Sequence, residues 1–312
     1  MKHHKILTKA IFGPSWGKEL QRRSQRQVRN PLDALDAFQS APPSDADAFE
    51  QPIFILSAGW RSGSTLLQRM LADNSELIIW GEPYHRSNII ESLLWQLAPL
   101  QDGWPPPEYY LNSSQACHSE QWLANCWPKQ QFLRAAHLAY WGALFGRSLR
   151  ELKRSRWGIK EVRWGSVHIN YLKWLYPKAK FVYLHRNPYD AYASFRDYPK
   201  VAFLSWPNEP IVTARDYGKA WVKLVSEFTT LAQQGTGVIV RYDNLKSPET
   251  RRMLSDYLGV HVADANALSR IVKPGVIDDE STRKKRYVSK LEKYILRHTV
   301  SDLADRHGYT YR

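Results

Sequence analysis

The segment from Pro52 to Leu71 constrains the fold of this chain more than any other part of the sequence. It opens with an apolar run, Pro52–Leu56, continues through a loop that contains glycine and serine, Ser57–Thr65, and then takes on helical period in Leu66–Leu71. That order predicts a β-strand, a tight loop and an α-helix. Because such a loop gathers backbone N–H groups at the positive end of a helix, the segment predicts an anion site, most often one for phosphate.

Further apolar runs follow the first one, and helical segments separate them. This alternation is typical of an α/β fold in which a mainly parallel sheet of about five strands is flanked by helices on both faces. The order of the strands within the sheet does not follow from the sequence. The predicted strands are 52–57, 77–80, 157–162, 180–185 and 237–242.

A second segment with functional side chains runs from Lys180 to Ser194. Its apolar strand ends at Arg186, where Asn187 is placed to cap a helix that begins with Pro188. Asparagine is a favoured cap, and proline is favoured at the first helical position. An arginine at the strand end and a serine two turns into the helix face the same region. We therefore expect Arg186 and Ser194 to converge on one phosphate group.

The first loop does not match the phosphate loop of nucleotide triphosphatases. That loop has four residues between its glycines and a lysine after the second glycine. Here three residues separate Gly59 from Gly63, Ser64 follows, and the strong cation of the loop is Arg61. A small-molecule kinase on a P-loop-like core is therefore the weaker alternative.

Both segments resemble one protein family. The run that starts at Arg61, Arg-Ser-Gly-Ser-Thr-Leu-Leu, resembles the 5′-phosphosulfate loop of sulfotransferases that use 3′-phosphoadenosine 5′-phosphosulfate (PAPS). The pair Arg186 and Ser194 resembles the 3′-phosphate element of the same family. The resemblance implies a P-loop-like three-layer fold, PAPS as donor co-substrate and transfer without a metal ion. It covers 51–312 as the sulfotransferase domain, whereas 1–50 is predicted to be a basic extension and linker.

The resemblance also implies which residues bind the donor. The loop would surround the 5′-phosphosulfate with N–H and hydroxyl groups, and Tyr242 would lie against the adenine. A basic run around Arg283 and Lys284 either closes over the 3′-phosphate or is an ordinary solvated charge run. Leu66 stands where cytosolic sulfotransferases have tryptophan, which disfavours that branch. The implied donor-binding residues are Arg61, Ser62, Gly63, Ser64, Thr65, Arg186, Ser194, Tyr242, Arg283 and Lys284.

Three side chains are the candidates for the chemistry. Glu82 follows the second predicted strand and resembles the general base of carbohydrate and tyrosylprotein sulfotransferases; the alternatives are His85 or another histidine, or a structural glutamate. Lys160, near the end of the third strand, would stabilise charge on the transferred oxygens, or else would pair with Glu161 or another carboxylate. Arg61 would neutralise the leaving phosphate with a bidentate guanidinium.

Composition limits the class of protein. The net charge of +14 suits polyanionic partners, but the basic residues are spread along the chain rather than gathered as in a nucleic-acid binder. Cys117 and Cys126 are the two cysteines, and we expect free thiols. The chain lacks a run of about eighteen apolar residues and a secretory leader, so we expect a soluble cytoplasmic protein. Residues 1–50 either touch a membrane surface peripherally, dock on the domain or are disordered.

An aromatic-rich helical insertion is predicted at 85–155. Its rings either pack in a core or form the faces on which sugar rings and other flat acceptors lie. Together with the glutamate base, this favours a hydroxyl of a carbohydrate, glycolipid or other hydroxylated metabolite as acceptor. A tyrosylprotein or small phenolic acceptor is the main alternative. The oligomeric state does not follow from the sequence.

Overall fold

The computed structural model describes most of the chain, and several predicted features fall outside the described part. These are the extension 1–50, the alternative base His85 and the basic residues Arg283 and Lys284. The described residues are 51–82, 89–97, 105–106, 109–110, 125–129, 131–196, 211–266 and 288–311.

A five-stranded parallel sheet forms the centre of the fold. The strands lie in the order β2-β3-β1-β4-β5, and every neighbouring pair is parallel. This confirms the predicted α/β class, and each observed strand begins and ends within one residue of its predicted bounds. The strands are β1 (Ile53–Ser57), β2 (Leu77–Trp80), β3 (Arg156–Glu161), β4 (Lys180–His185) and β5 (Val238–Arg241).

Helices connect the strands. A π-helical turn, Gly142–Gly146, joins α3 to α4, and a short 3₁₀ turn, Tyr242–Asn244, follows β5. Within the described part of the chain, no helix combines the length and the apolar composition needed to cross a bilayer. The described α-helices are α1 (Ser64–Leu71), α2 (Ile89–Leu97), α3 (Gln131–Trp141), α4 (Arg147–Glu151), α5 (Ser166–Leu175), α6 (Pro188–Arg196), α7 (Ala214–Gln233), α8 (Pro248–Leu258) and α9 (Lys290–Arg306).

Both faces of the sheet are covered, which gives the three layers. On one face, Ile53 and Ile55 of β1 belong to an aliphatic core with residues of α1 and α8. On the other face, Phe54 stacks on Phe181 and meets Trp157 edge-on. Every residue of β1 is buried as a result. This double burial explains why the strand is a continuous apolar run rather than an alternating one.

The described residues fall into two compact units. Those within Ile89–His137 belong to one, and those within Pro43–Asn88 and Leu138–Arg312 belong to the other. The sheet and all the described site residues lie in the second unit. The domain boundary at residue 51 and the insertion 85–155 stay predictions.

The position of β1 in the sheet determines where the first loop lies. Since all five strands are parallel, their carboxyl ends lie at one edge. β1 pairs with β3 on one side and with β4 on the other. The loop after β1 therefore lies between the ends of β3 and β4, at the edge where open α/β sheets bind ligands.

Candidate functional site

The loop after β1 has an alternating backbone. Gly59, Arg61 and Gly63 have positive φ angles of 83°, 66° and 92°, whereas Trp60 and Ser62 between them do not. Alternation of this kind turns successive N–H groups towards one side and forms an anion-binding concavity. Arg61 is not a glycine, and the left-handed conformation costs such a residue about 1–2 kcal/mol. The loop therefore holds Arg61 in a strained backbone conformation, and that conformation determines where its side chain lies.

The hydroxyl of Ser62 stabilises this loop from inside. The residue is buried, and its Oγ donates to the carbonyls of Ala58 at 3.1 Å and Gly59 at 2.8 Å. The hydroxyl of Ser62 is therefore engaged within the loop, and its backbone N–H is the group left to bind an anion. Ser64 and Thr65 open helix α1, so their N–H groups have no acceptor within the helix.

Arg61 and Ser194 are in direct contact. Arg61 Nε donates to Ser194 Oγ at 2.7 Å, and Ser194 is buried in α6. From the end of β4, Arg186 Nη1 donates to the backbone carbonyl of Arg61 at 3.2 Å. The two segments that the sequence singled out thus meet through three of the predicted donor-binding residues.

The environment of Arg186 suits an anionic ligand. Its guanidinium lies 4.4 Å from the centre of the Tyr242 ring, and its carbonyl accepts a hydrogen bond from Trp221 Nε1 at 3.1 Å. Its Nε is buried and has no hydrogen-bond partner among the described residues. A buried donor on a cation is costly when it is left unsatisfied. A phosphate oxygen would satisfy it, so the residues present fit a phosphate-bearing ligand.

Tyr242 lies directly against the loop. A Cβ atom added to Gly63 would be only 2.1 Å from Tyr242 Cδ2, so the ring occupies the space that a side chain would need. Glycine at position 63 therefore serves both the positive φ and this close approach. The contact of Tyr242 with adenine stays a prediction.

Glu82 and Lys160 form an ion pair at the same edge of the sheet. Lys160 Nζ lies 2.5 Å from Glu82 Oε1; the lysine side chain is 8% exposed and the glutamate side chain 26%. Glu161 pairs instead with Arg163, at 2.6 Å from Nη2. Lys160 thus pairs with Glu82 rather than with its sequence neighbour Glu161. About a quarter of the Glu82 side chain stays open to solvent.

Two residues near the site were not identified from the sequence. Tyr217 on α7 donates from its hydroxyl to the carbonyl of Trp60 at 3.2 Å. Burial raises the pKa of Tyr217, and the positive charges of Arg186 and Arg61 oppose that rise. His185, the last residue of β4, is fully buried, and its burial lowers its pKa to about 3, with smaller contributions from His307 and Arg241. A histidine that ends an otherwise apolar strand was the available signal.

Comparisons with known proteins found a matching family model and several similar solved structures. A family model described as Sulfotransferase family matches residues 52–264. The sulfotransferase domain from the Synechococcus PCC 7002 olefin synthase is 19% identical with a TM-score of 0.44, over 88% of this chain and 100% of that domain. The sulfotransferase domain from the curacin biosynthetic pathway is 19% identical with a TM-score of 0.45, over 85% and 99%. Mouse sulfotransferase SULT7A1 complexed with PAP is 14% identical with a TM-score of 0.38, over 90% of each chain. No curated protein matches the sequence.

Proposed function

Because this chain belongs to the sulfotransferase family, we propose that it transfers a sulfuryl group from PAPS to a hydroxyl of a carbohydrate, glycolipid or other hydroxylated metabolite. The observation that carries the proposal is the hydrogen bond from Arg61 to Ser194. It joins the loop that resembles a 5′-phosphosulfate site to the helix that resembles a 3′-phosphate site. A nucleotide with phosphates at both positions matches such a pair of sites.

The residues that would hold the donor fall into two groups. The alternating loop 59–63 and the first N–H groups of α1 suit the 5′-phosphosulfate, with Arg61 as the cation. Arg186 suits the 3′-phosphate through its buried Nε, and Ser194 suits it because a hydroxyl that accepts one hydrogen bond still has a proton to donate. Roles for Arg283 and Lys284 stay predictions.

The Glu82–Lys160 pair would supply the chemistry. The Glu82 carboxylate would take the proton of the acceptor hydroxyl as its oxygen bonds to sulfur and as the bond from sulfur to the 5′-phosphate oxygen breaks, leaving adenosine 3′,5′-bisphosphate. The ammonium of Lys160, 2.5 Å from Glu82 Oε1, would hold the carboxylate in place. It would also stabilise negative charge on the transferred oxygens, as cations do in phosphoryl transfer. Transfer without a metal ion stays a prediction.

Two features support a carbohydrate or related hydroxylated acceptor. One is the carboxylate at position 82, which is open enough for an acceptor hydroxyl to reach. The other is the aromatic composition of residues 85–155, where Trp104 and Trp122 are candidate acceptor contacts outside the described residues. The cytoplasmic location, the peripheral membrane contact of the N-terminal extension and the oligomeric state stay open to experiment.

Calorimetry with nucleotides tests the donor. Adenosine 3′,5′-bisphosphate should bind at least tenfold more tightly than adenosine 5′-monophosphate, because a charge-assisted phosphate contact is worth about 1.5–3 kcal/mol. Equal affinities would overturn the proposal, and preferential binding of ATP with Mg²⁺ would favour the kinase alternative. A screen of hydroxylated acceptors with labelled PAPS then identifies the acceptor.

A further inference from the structure

Tyr309 contacts the residue that precedes Arg186. Its hydroxyl oxygen lies 2.8 Å from Nδ1 and 3.3 Å from the backbone oxygen of His185, and both residues are buried. One hydroxyl thus holds both the side chain and the backbone of the last residue of β4. Since Arg186 is the next residue, any movement of this strand end would move its guanidinium.

The residues on either side of Tyr309 continue the contact along the chain. Asn187 Nδ2 donates to the carbonyl of Thr310 at 3.2 Å. The ring of Tyr189 meets the ring of Tyr311 edge-on, with the centroids 4.9 Å apart. Residues 307–311, here named the 307–311 segment, therefore lie alongside the turn from β4 into α6.

The same segment reaches the aromatic partner of Arg186 through β5. Arg241, the last residue of β5, lies with its guanidinium 4.5 Å from the centre of the Tyr309 ring. The next residue, Tyr242, is the ring against which Arg186 stacks. Tyr309 thus contacts the residue directly before each member of the Arg186–Tyr242 stack.

We propose that Tyr309 is a positioning residue for donor recognition: through His185 and Arg241 it fixes Arg186, and so sets how strongly the chain distinguishes a 3′-phosphorylated nucleotide. This inference rests on the proposed function. It assigns a role to the 307–311 segment, which lies outside the matched family region 52–264. The predicted consequence is specific, because a loosened Arg186 weakens binding of the 3′-phosphate more than binding of the rest of the nucleotide.

Tyr309→Phe is the variant that tests the proposal. It removes the hydroxyl but keeps the ring against Arg241. Calorimetry should show that the preference for adenosine 3′,5′-bisphosphate over adenosine 5′-monophosphate falls by about three- to tenfold, the order of one lost hydrogen bond, while the monophosphate affinity stays within about twofold. Tyr311→Phe is the matched control, because Tyr311 contacts Tyr189 through its ring. It should keep the native preference.

The outcomes separate this inference from the proposed function. A native chain that binds the two nucleotides equally overturns both. A native chain that prefers the bisphosphate, with the same preference in Tyr309→Phe, overturns the positioning role alone. A purely structural role would lower the melting temperature and both affinities together, which also counts against it. If Tyr309→Phe does not fold, Arg241→Met replaces it, since it removes the cation that lies 4.5 Å from the centre of the Tyr309 ring. It should lower the same preference.

Discussion

Arg61 donates a hydrogen bond from Nε to Ser194 Oγ across 2.7 Å, which joins two residues 133 positions apart in the chain. The bond connects the loop after β1 to the helix after β4, and β1 and β4 are neighbours in the sheet. Arg186 strengthens the connection by donating to the carbonyl of Arg61. The two phosphate-binding elements of the proposed donor site are therefore linked before any ligand is considered, so we expect changes in one to affect the other.

The first prediction concerns this link. We expect each of the variants Arg61→Ala and Ser194→Ala to weaken the binding of adenosine 3′,5′-bisphosphate by about tenfold or more, because each removes a side chain that is proposed to contact a phosphate. The double variant should bind more tightly than the product of the two losses implies, with a coupling of about 1 kcal/mol, because Ser194 also holds Arg61. A calorimetric double-mutant cycle measures this coupling.

Ser148 provides the control for that cycle. Its hydroxyl donates to the carbonyl of Leu144 one turn earlier in the same helical stretch, at 3.3 Å. Ser148→Ala combined with Arg61→Ala should be additive within about 0.5 kcal/mol. Additive losses for Ser194 and Arg61 as well would show that their hydrogen bond plays no part in donor binding.

The second prediction concerns Gly63. Alanine at this position has to adopt a φ of 92° and to place its Cβ 2.1 Å from Tyr242 Cδ2. The ring of Tyr242 then has to leave the loop, and Arg186 loses its stacking partner. We expect Gly63→Ala to lower both the melting temperature and the affinity for adenosine 3′,5′-bisphosphate, the latter by at least tenfold.

Gly235 is a matched control for this change. Its φ is 74°, but a Cβ atom added there would meet nothing within 4 Å. Gly235→Ala should therefore cost only the backbone strain, about 1–2 kcal/mol, and leave nucleotide affinity unchanged. If Gly63→Ala behaves like Gly235→Ala in both measurements, the close contact between Tyr242 and the loop is without consequence.

The fold could be predicted from the sequence because its three central strands, β1, β3 and β4, are buried on both faces. Double burial makes β1 a continuous apolar run up to Ser57, and it makes Phe181–Leu184 of β4 a second such run shortly before the turn at Asn187. The order of the strands could not be predicted, because strand pairing joins residues that are far apart in the sequence. Gly158 illustrates this: a Cβ added there would lie 2.3 Å from the carbonyl oxygen of Ile53, so glycine permits the β1–β3 contact, yet nothing local to Gly158 identifies its partner.

The site was predictable in its residue types and less so in its contacts. Arg186 and Ser194 both contact Arg61, in keeping with a strand-to-helix turn whose cap and helical proline fix the direction of α6, and their convergence on one phosphate stays a prediction. Lys160 pairs with Glu82 rather than with Glu161 because Arg163 already pairs with Glu161. The sequence alone does not indicate which of the two cations pairs with Glu161. The contact of Tyr309 with His185 depends on how α9 packs, which has no local signal.

The third prediction concerns acid stability. His185 is buried, and burial lowers its pKa from 6.5 to about 3. Below pH 6.5 the unfolded chain binds a proton that the folded chain does not, so the free energy of unfolding falls as pH falls, until about pH 3. One such group contributes a slope of up to about 1.4 kcal/mol per pH unit. His137, whose pKa burial lowers to about 4, acts in the same direction.

Chemical unfolding of His185→Gln between pH 6.5 and 4 checks this sign. The variant should be less stable than the native chain near neutrality. Its free energy of unfolding should fall less steeply as the pH is lowered, because unfolding then takes up as much as one proton fewer. Ser148→Ala changes no titratable group and should keep the native slope. A slope for His185→Gln equal to the native one would mean that His185 is not kept neutral by burial.

The last prediction separates two roles for Glu82. As general base, Glu82→Gln should lower turnover by about 10²–10⁴ with donor affinity nearly unchanged, because glutamine keeps the shape but not the basicity. Glu76→Gln, at the amino end of β2, is a matched control that should keep full turnover.

If Glu82 only holds Lys160 in place, Glu82→Gln would also lower turnover, because Lys160 would lose the carboxylate oxygen Oε1 that lies 2.5 Å from its Nζ. Lys160→Met distinguishes the two roles. If Glu82 acts only through Lys160, adding Glu82→Gln to Lys160→Met costs nothing more. If Glu82 removes the acceptor proton, the double variant loses at least a further tenfold in turnover, measured with labelled PAPS on an acceptor that the native chain sulfonates. We expect the second result, because about a quarter of the Glu82 side chain stays open beside the paired lysine, where an acceptor hydroxyl can approach it.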